Sequence, residues 1–296
     1  MSAGERLPGT PEPMHRWTGA YGLSIAGDSW GEPGAQPVIL MHGGGQTRHA
    51  WKGAGERLAA AGYHAVAPDA RGHGDSEWSR GGHYGPDVMA EDLRLLIRAL
   101  GGQPPVLVGA SMGGSTSLLA VGEGRVEAAA LVLVDIAPRI ETDGVQRIMD
   151  FMRARPDGFD SLEQVADAIA AYQPQRRRPR TLDGLAKNVR RTPDGRYRWH
   201  WDPNLHIVQS DAGHREERRV RFEAAARRVG IPTLLVRGAL SDLLSEEGAR
   251  HFLELCPQSE YVNVAGAAHM VAGDRNDIFA RAVEDFIGRR VPPRRA

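Results

Sequence analysis

Short apolar runs alternate with helix-like stretches along most of this chain, and that rhythm limits the folds open to it. Val38–Met41, Tyr63–Ala67, Val106–Val108 and Ala130–Val134 are such runs. Between them, Arg48–Ala61, Pro86–Leu100 and Met112–Val121 read as helices. In the second, Pro86 suits the first turn, Met89, Leu93, Leu96 and Leu100 share a face, and Gly101 caps the end. A strand buried on both faces shows unbroken hydrophobicity rather than alternation. Strands of that kind separated by helices predict a mostly parallel sheet covered on both sides.

The rhythm breaks from about Pro138 to Gly230, where helical pieces replace strands. One of them starts at Ser161 with Gln164 three residues on, a capping-box pattern. Residues 153–228 carry 17 Lys and Arg against 11 Asp and Glu, a local excess of six positive charges. Strands resume at Thr233–Val236 and Tyr261–Val264, with helices at Glu246–Leu255 and Asn276–Gly288. The expected organisation is therefore a core from 17–137 and 231–296 and a helical cap from 138–230. The cap is expected over the sheet's C-terminal edge, where open α/β sheets bind ligands. Residues 1–16 are rich in Pro and Gly and are expected to form a flexible arm. Trp17–Ile25 is a weaker candidate for a strand or hairpin.

Equal numbers of acidic and basic residues, 37 each, argue against broad nucleic-acid binding. No apolar stretch reaches the roughly 18 residues needed to cross a bilayer, so no membrane partner is expected. The first residues contain no apolar signal segment, and Cys256 is the one cysteine, which excludes an internal disulfide. A cytoplasmic location is the default expectation. No H-E-x-x-H spacing occurs and no G-x-G-x-x-G follows the first strand, so neither a metal nor a cofactor is expected. A small-molecule substrate is the expected partner, and the sequence does not state an oligomeric state.

The chemistry concentrates at Gly109-Ala110-Ser111-Met112-Gly113. G-x-S-x-G between a strand and a helix lifts the serine onto a sharp, strained turn, clear of the sheet. A serine hydroxyl is a poor nucleophile at neutral pH and needs a base. His269, in a small-residue loop after the last strand, is the candidate, because an imidazole can take and return a proton near neutrality. A carboxylate must hold that imidazole and stabilise its charged form. Asp242, after the penultimate strand, is the preferred acid and gives the chain order Ser, Asp, His. Asp135, which ends an earlier strand, is the alternative. The backbone N–H of Met112, next to the nucleophile, and that of Gly44, in His42-Gly43-Gly44-Gly45, are candidate oxyanion donors.

Other residues carry weaker expectations. His42 is expected to orient the oxyanion turn and His73 to hold its own loop. His200 and His206 are expected on the surface or a pocket wall. Trp51, Trp199 and Trp201 are candidates for lining a substrate pocket, weighed against simple packing. Arg176-Arg177-Arg178 is either a solvated surface or an attractor for an anionic substrate.

The elbow, the His-Gly-Gly-Gly turn and the run Asp69-Ala70-Arg71-Gly72-His73-Gly74-Asp75-Ser76 together resemble the α/β-hydrolase superfamily. The likeness covers about residues 20–137 and 230–288, and is nearest to haloperoxidase/esterase-like and epoxide-hydrolase-like branches. It implies a mostly parallel eight-stranded sheet flanked by helices, a helical cap inserted after strand six, and a Ser-His-Asp triad. Epoxide hydrolases and haloalkane dehalogenases place aspartate at the elbow, so Ser111 argues against both activities. The expected function is hydrolysis of a small or medium carboxylic ester, lactone or thioester through an acyl-enzyme. Cleavage of a C–C bond by the same residues, a perhydrolase activity and a non-catalytic ligand receptor are the alternatives.

Overall fold

The computed structural model describes residues 4–172, 182–205, 212–269 and 276–293. Eight strands form one sheet in the order β1-β2-β4-β3-β5-β6-β9-β10. Their ranges are β1 His15–Thr18, β2 Ser24–Trp30, β3 Pro37–Met41, β4 His64–Pro68, β5 Val106–Ala110, β6 Ala130–Val134, β9 Thr233–Gly238 and β10 Glu260–Val264. β1 and β2 are antiparallel to their neighbours, and the six strands from β4 to β10 in that order pair in parallel. The helices between the sheet strands are α1 Lys52–Ala60, α2 Pro86–Ala99, α3 Met112–Gly122 and α7 Glu246–Leu255, and α8 Asp277–Arg290 closes the fold.

Alternation of side chains along each strand divides the core in two. Ile39, Leu107, Leu131 and Leu235 face the layer holding Leu93 of α2, Leu118 of α3 and Phe252 of α7. Val38, Leu40, Val106, Val132 and Val236 face the layer holding Leu58 of α1 and Phe286 of α8. All nine of the strand positions just named are fully buried. This is why the strands read as continuous apolar runs rather than as alternating patterns. Truncating one such side chain, as in Leu107→Ala, costs about 3 kcal/mol through lost transfer energy and the cavity left behind.

Between β6 and β9 the chain runs through α4 Thr142–Arg153, α5 Leu162–Tyr172, a short hairpin of β7 Val189–Arg191 and β8 Tyr197–Trp199, and α6 Ala212–Arg228. The hairpin differs from the purely helical expectation for this segment. It is only three residues per strand, too short to give a legible apolar pattern. Arg176–Arg178 and His206 lie outside the described residues.

The expected flexible arm is tied down over its described part. Glu5 and Arg191 exchange two backbone hydrogen bonds, at 2.9 and 2.8 Å, so the arm extends the small hairpin. Leu7 is buried, Pro11 carbonyl accepts from Arg48 Nη2 at 3.1 Å, and Met14 N–H donates to Asp28. Proline and glycine composition predicts a loop, but backbone pairing with the hairpin, an arginine donor and the burial of Leu7 hold this one in place.

Candidate active site

Ser111 sits between β5 and α3 with φ 45° and ψ −110°, a conformation that L-residues rarely adopt. The strain is held by the ladder on one side and the helix on the other. Ser111 N–H donates to Val134 carbonyl of β6 at 3.0 Å, and Ser115 N–H donates to Ser111 carbonyl at 2.9 Å. The flanking glycines are steric requirements. A Cβ on Gly109 would stand 2.4 Å from Gly114 N, and one on Gly113 would stand 2.6 Å from Met41 carbonyl oxygen. Glycine at 109 therefore lets β5 pass close to the first turn of α3, and glycine at 113 lets that turn pack on β3.

The carboxylate that meets His269 is that of Asp135, and not that of the preferred Asp242. His269 Nδ1 lies 2.7 Å from Asp135 Oδ2. The other side of Asp135 accepts from Gly238 N–H at 3.1 Å, and Ser241 Oγ donates to Oδ2 at 2.7 Å. Ser241 in turn accepts from the N–H groups of Leu243 and Leu244. Asp242 instead pairs with Arg147 of α4 at 2.8 Å, with 31% of its side chain exposed against 4% for Asp135. The physical reason is sheet order. β6 lies directly beside β5, so Asp135 follows the strand next to the one that leads into Ser111. The loop after β9 turns Leu243 and Leu244 inward, sends Asp242 out and contributes Ser241 to the acid's support. Sequence reasoning missed Ser241, for which adjacency to Asp242 was the one available signal.

Ser111, His269, Gly44 and Met112 line one cavity of about 440 Å³. Met112 is the first residue of α3, so its N–H has no acceptor within the helix. Gly43 N–H is taken by Gln46 Oε1 at 3.0 Å and Gly45 N–H by His73 Nε2 at 3.3 Å, which leaves Gly44 between two anchored neighbours. The cavity wall is apolar at Ile136, Ile140, Val145, Ile148 and Met149, and polar at Ser115, Asp87, Glu217, Arg218 and Arg221.

Three buried histidines brace the glycine turn. His42 Nε2 accepts from Ala70 N–H at 2.9 Å, and its Nδ1 faces Gly43 carbonyl at 2.8 Å. His73 Nε2 accepts from Gly45 N–H, with Nδ1 3.2 Å from Arg71 carbonyl. His200 Nδ1 accepts from Gly74 N–H at 2.8 Å, and its Nε2 lies 3.2 Å from Gly45 carbonyl. Each ring takes one backbone N–H and meets one carbonyl, which requires a neutral imidazole of fixed tautomer. Burial pushes all three down from the ordinary histidine value, His73 to about 3. His200 is thus a fully enclosed structural group rather than the surface or pocket-wall residue expected.

Beside them, Arg48 meets Asp69 at 2.6 Å, Asp75 at 2.8 Å and Asp28 at 3.0 Å, and Arg190 meets Asp75 at 2.9 Å. Burial works against the Arg48 charge, but Asp69, Asp28 and Asp75 outweigh it and hold the guanidinium firmly protonated. Burial likewise opposes the Asp69 charge, and Arg48 with its own amide and that of Asp75 reverses the balance. The D-A-R-G-H-G-D-S run is therefore the clamp between the core and β7.

The tryptophans line other parts of the molecule. Trp51 is fully buried in the α1/α8 layer. Trp199 and Trp201 stack on each other at 4.7 Å and 12°, against Phe151, with Trp201 Nε1 donating to Met152 carbonyl at 3.2 Å. The alternate spacing does put both on one side, but that side packs α4 rather than the cavity of Ser111.

The sequence matches the alpha/beta hydrolase fold family over residues 36–275, and the chain belongs to that family. An esterase of Mycobacterium tuberculosis is 31% identical over 60% of this chain and 60% of its own length, so the match spans less than two thirds of that relative. The 2-(acetamidomethylene)succinate hydrolase of Mesorhizobium japonicum is 30% identical over 75% of this chain and 77% of its own. Among solved structures, E-2-(acetamidomethylene)succinate hydrolase superposes with a TM-score of 0.78 at 24% identity, covering 92% of this chain and 98% of that one. That likeness concerns the fold. The esterase of M. tuberculosis superposes with a TM-score of 0.68 at 25% identity, over 94% and 92%. Proteins it resembles carry the names esterase, hydrolase and lipase.

Proposed function

We propose that this enzyme hydrolyses small or medium carboxylic esters through an acyl-enzyme on Ser111, with His269 as base and Asp135 as the acid that holds it. The observation that carries the reading is the 2.7 Å contact of His269 Nδ1 with a buried carboxylate, at a cavity His269 shares with Ser111. The names of the relatives support ester chemistry.

In this mechanism His269 Nε2 takes the Ser111 hydroxyl proton as Oγ bonds to the carbonyl carbon. Asp135 accepts the Nδ1 proton in a hydrogen bond and offsets the imidazolium charge without itself being protonated. The tetrahedral oxyanion takes hydrogen bonds from the Gly44 and Met112 N–H groups, donors fixed before the reaction and so free of reorganisation cost. As the C–O bond breaks, His269 returns its proton to the departing alcohol. Water then repeats the sequence, giving the acid and regenerating Ser111. Turnover of p-nitrophenyl esters by the wild-type chain, and its loss in Ser111→Ala, tests the reading. Undiminished turnover in Ser111→Ala contradicts it.

A further inference from the structure

The cavity beside Ser111 contains one cation whose situation differs from its neighbours on the same helix. Along α6, Arg219 pairs with Glu216 and Glu223, Arg221 with Asp87 and Glu123, and Arg227 with Glu223. Arg218 has no carboxylate partner among the described residues. Its guanidinium lies 4.4 Å from the centre of the Phe222 ring, and its Nη2 donates to Ser115 Oγ at 3.3 Å. The residue is half-buried and lines the cavity. Desolvation lowers its pKa to about 10, which still leaves it charged at neutral pH.

A half-buried guanidinium with one neutral hydrogen bond is under-satisfied unless something completes it. Its planar fork suits a carboxylate, and Ser115 hydroxyl, which accepts from Arg218, retains a proton to donate. Location ties this to the reacting centre. Ser115 is one turn after Ser111, with its N–H on Ser111 carbonyl at 2.9 Å. One helical turn rises about 5.4 Å, the reach of a chain of about four carbon–carbon bonds.

We propose that Arg218 and Ser115 bind a carboxylate carried by the substrate, so that the enzyme prefers esters bearing a free acid group a few carbons from the scissile carbonyl. This rests on the ester-hydrolase reading and specifies its substrate class. The acidic groups nearby do not oppose it. Asp87 is neutralised by Arg125 and Arg221, and Glu217 stands exposed in water at the cavity wall. The apolar residues from Ile136 to Met149 accept the uncharged remainder of such a molecule.

The test compares p-nitrophenyl hemiglutarate with p-nitrophenyl butyrate, as the ratio of their kcat/KM values, in wild type, Arg218→Gln, Arg218→Lys and Arg219→Gln. Wild type is expected to favour the charged ester by at least about 10-fold. Arg218→Gln is expected to lower that ratio at least about 30-fold, chiefly through KM, Arg218→Lys to restore part of it, and Arg219→Gln to leave the ratio as it was. A ratio unchanged in Arg218→Gln, or a wild-type preference for butyrate, overturns the proposal. A second measurement needs no turnover: glutarate is expected to raise the melting temperature of wild type and of Ser111→Ala, but not of Arg218→Gln. If no ester is turned over while glutarate still stabilises through Arg218, the ester reading fails and the carboxylate site stands. If esters are turned over and glutarate binds no better to wild type than to Arg218→Gln, the carboxylate site fails alone.

Discussion

Two groups of buried histidines and carboxylates sit at the same edge of the sheet, and they are wired differently. Around His42, His73 and His200, each imidazole has both nitrogens matched to backbone groups, and the nearby carboxylates are matched to arginines. Around His269, one nitrogen is matched to a carboxylate and the residue shares a cavity with a strained serine. The comparison teaches that burial and residue type do not separate structure from chemistry. A histidine locked between an amide and a carbonyl cannot gain a proton without losing a bond. One placed on a carboxylate gains stabilisation when it is protonated.

The strongest way to break this distinction is to remove the proposed nucleophile. Ser111→Ala is expected to lower kcat by at least about 10³-fold, measured by burst and steady-state kinetics, with the fold retained. Asp135→Asn comes next, at about 10²- to 10⁴-fold in kcat, because the amide would present its own N–H to Nδ1 and favour the wrong tautomer. In the other group, His73→Ala leaves Gly45 N–H without its acceptor. We expect a fall of about 10-fold in kcat with KM little changed, since the loss loosens an oxyanion donor rather than a binding contact.

The histidine group also sets the response to acid. Their folded pKa values lie below the unfolded value of about 6.5, so the unfolded chain takes up protons first as pH falls. Stability is therefore full above about pH 6.5 and declines below it, until the folded pKa is reached. With His73 at about 3, its share is about 2 kcal/mol lost at pH 5. Asp69, held low against its burial by Arg48, adds a further loss only below about pH 4. Urea unfolding at pH 7, 6 and 5 checks the slope, and a flat profile across that range counts against neutral, buried rings. The smallest effect belongs to Asp242→Asn, which removes a half-exposed pair with Arg147 and is expected to change kcat less than about twofold and stability by under about 1 kcal/mol.

The layers, the six parallel strands and the elbow were legible because their signals are local, whereas the full count of eight strands came from the family resemblance. An apolar run of five residues between helices is a buried parallel strand almost by definition, and Gly109, Ser111 and Gly113 encode one backbone geometry. The acid was not legible, because two aspartates each follow a strand and the difference lies in which strand adjoins β5. Strand order depends on long-range pairing, which no window of sequence contains. The same holds for Trp199 and Trp201. Their spacing fixed a shared side but not what stood opposite, and Phe151 of α4 stood there. In sequence Arg218 resembles any other cation of an arginine-rich helix; only in the structure does it differ, by lacking a carboxylate partner among the described residues.

The assignment of Ser111 and Asp135 is tested most directly by the rate at which a fluorophosphonate labels the enzyme, followed by mass spectrometry of the labelled peptide. The expected result is a single adduct on Ser111, forming at least about 100-fold more slowly in Asp135→Asn and within about twofold of wild type in Asp242→Asn. An adduct elsewhere, or slow labelling in Asp242→Asn with normal labelling in Asp135→Asn, would contradict it.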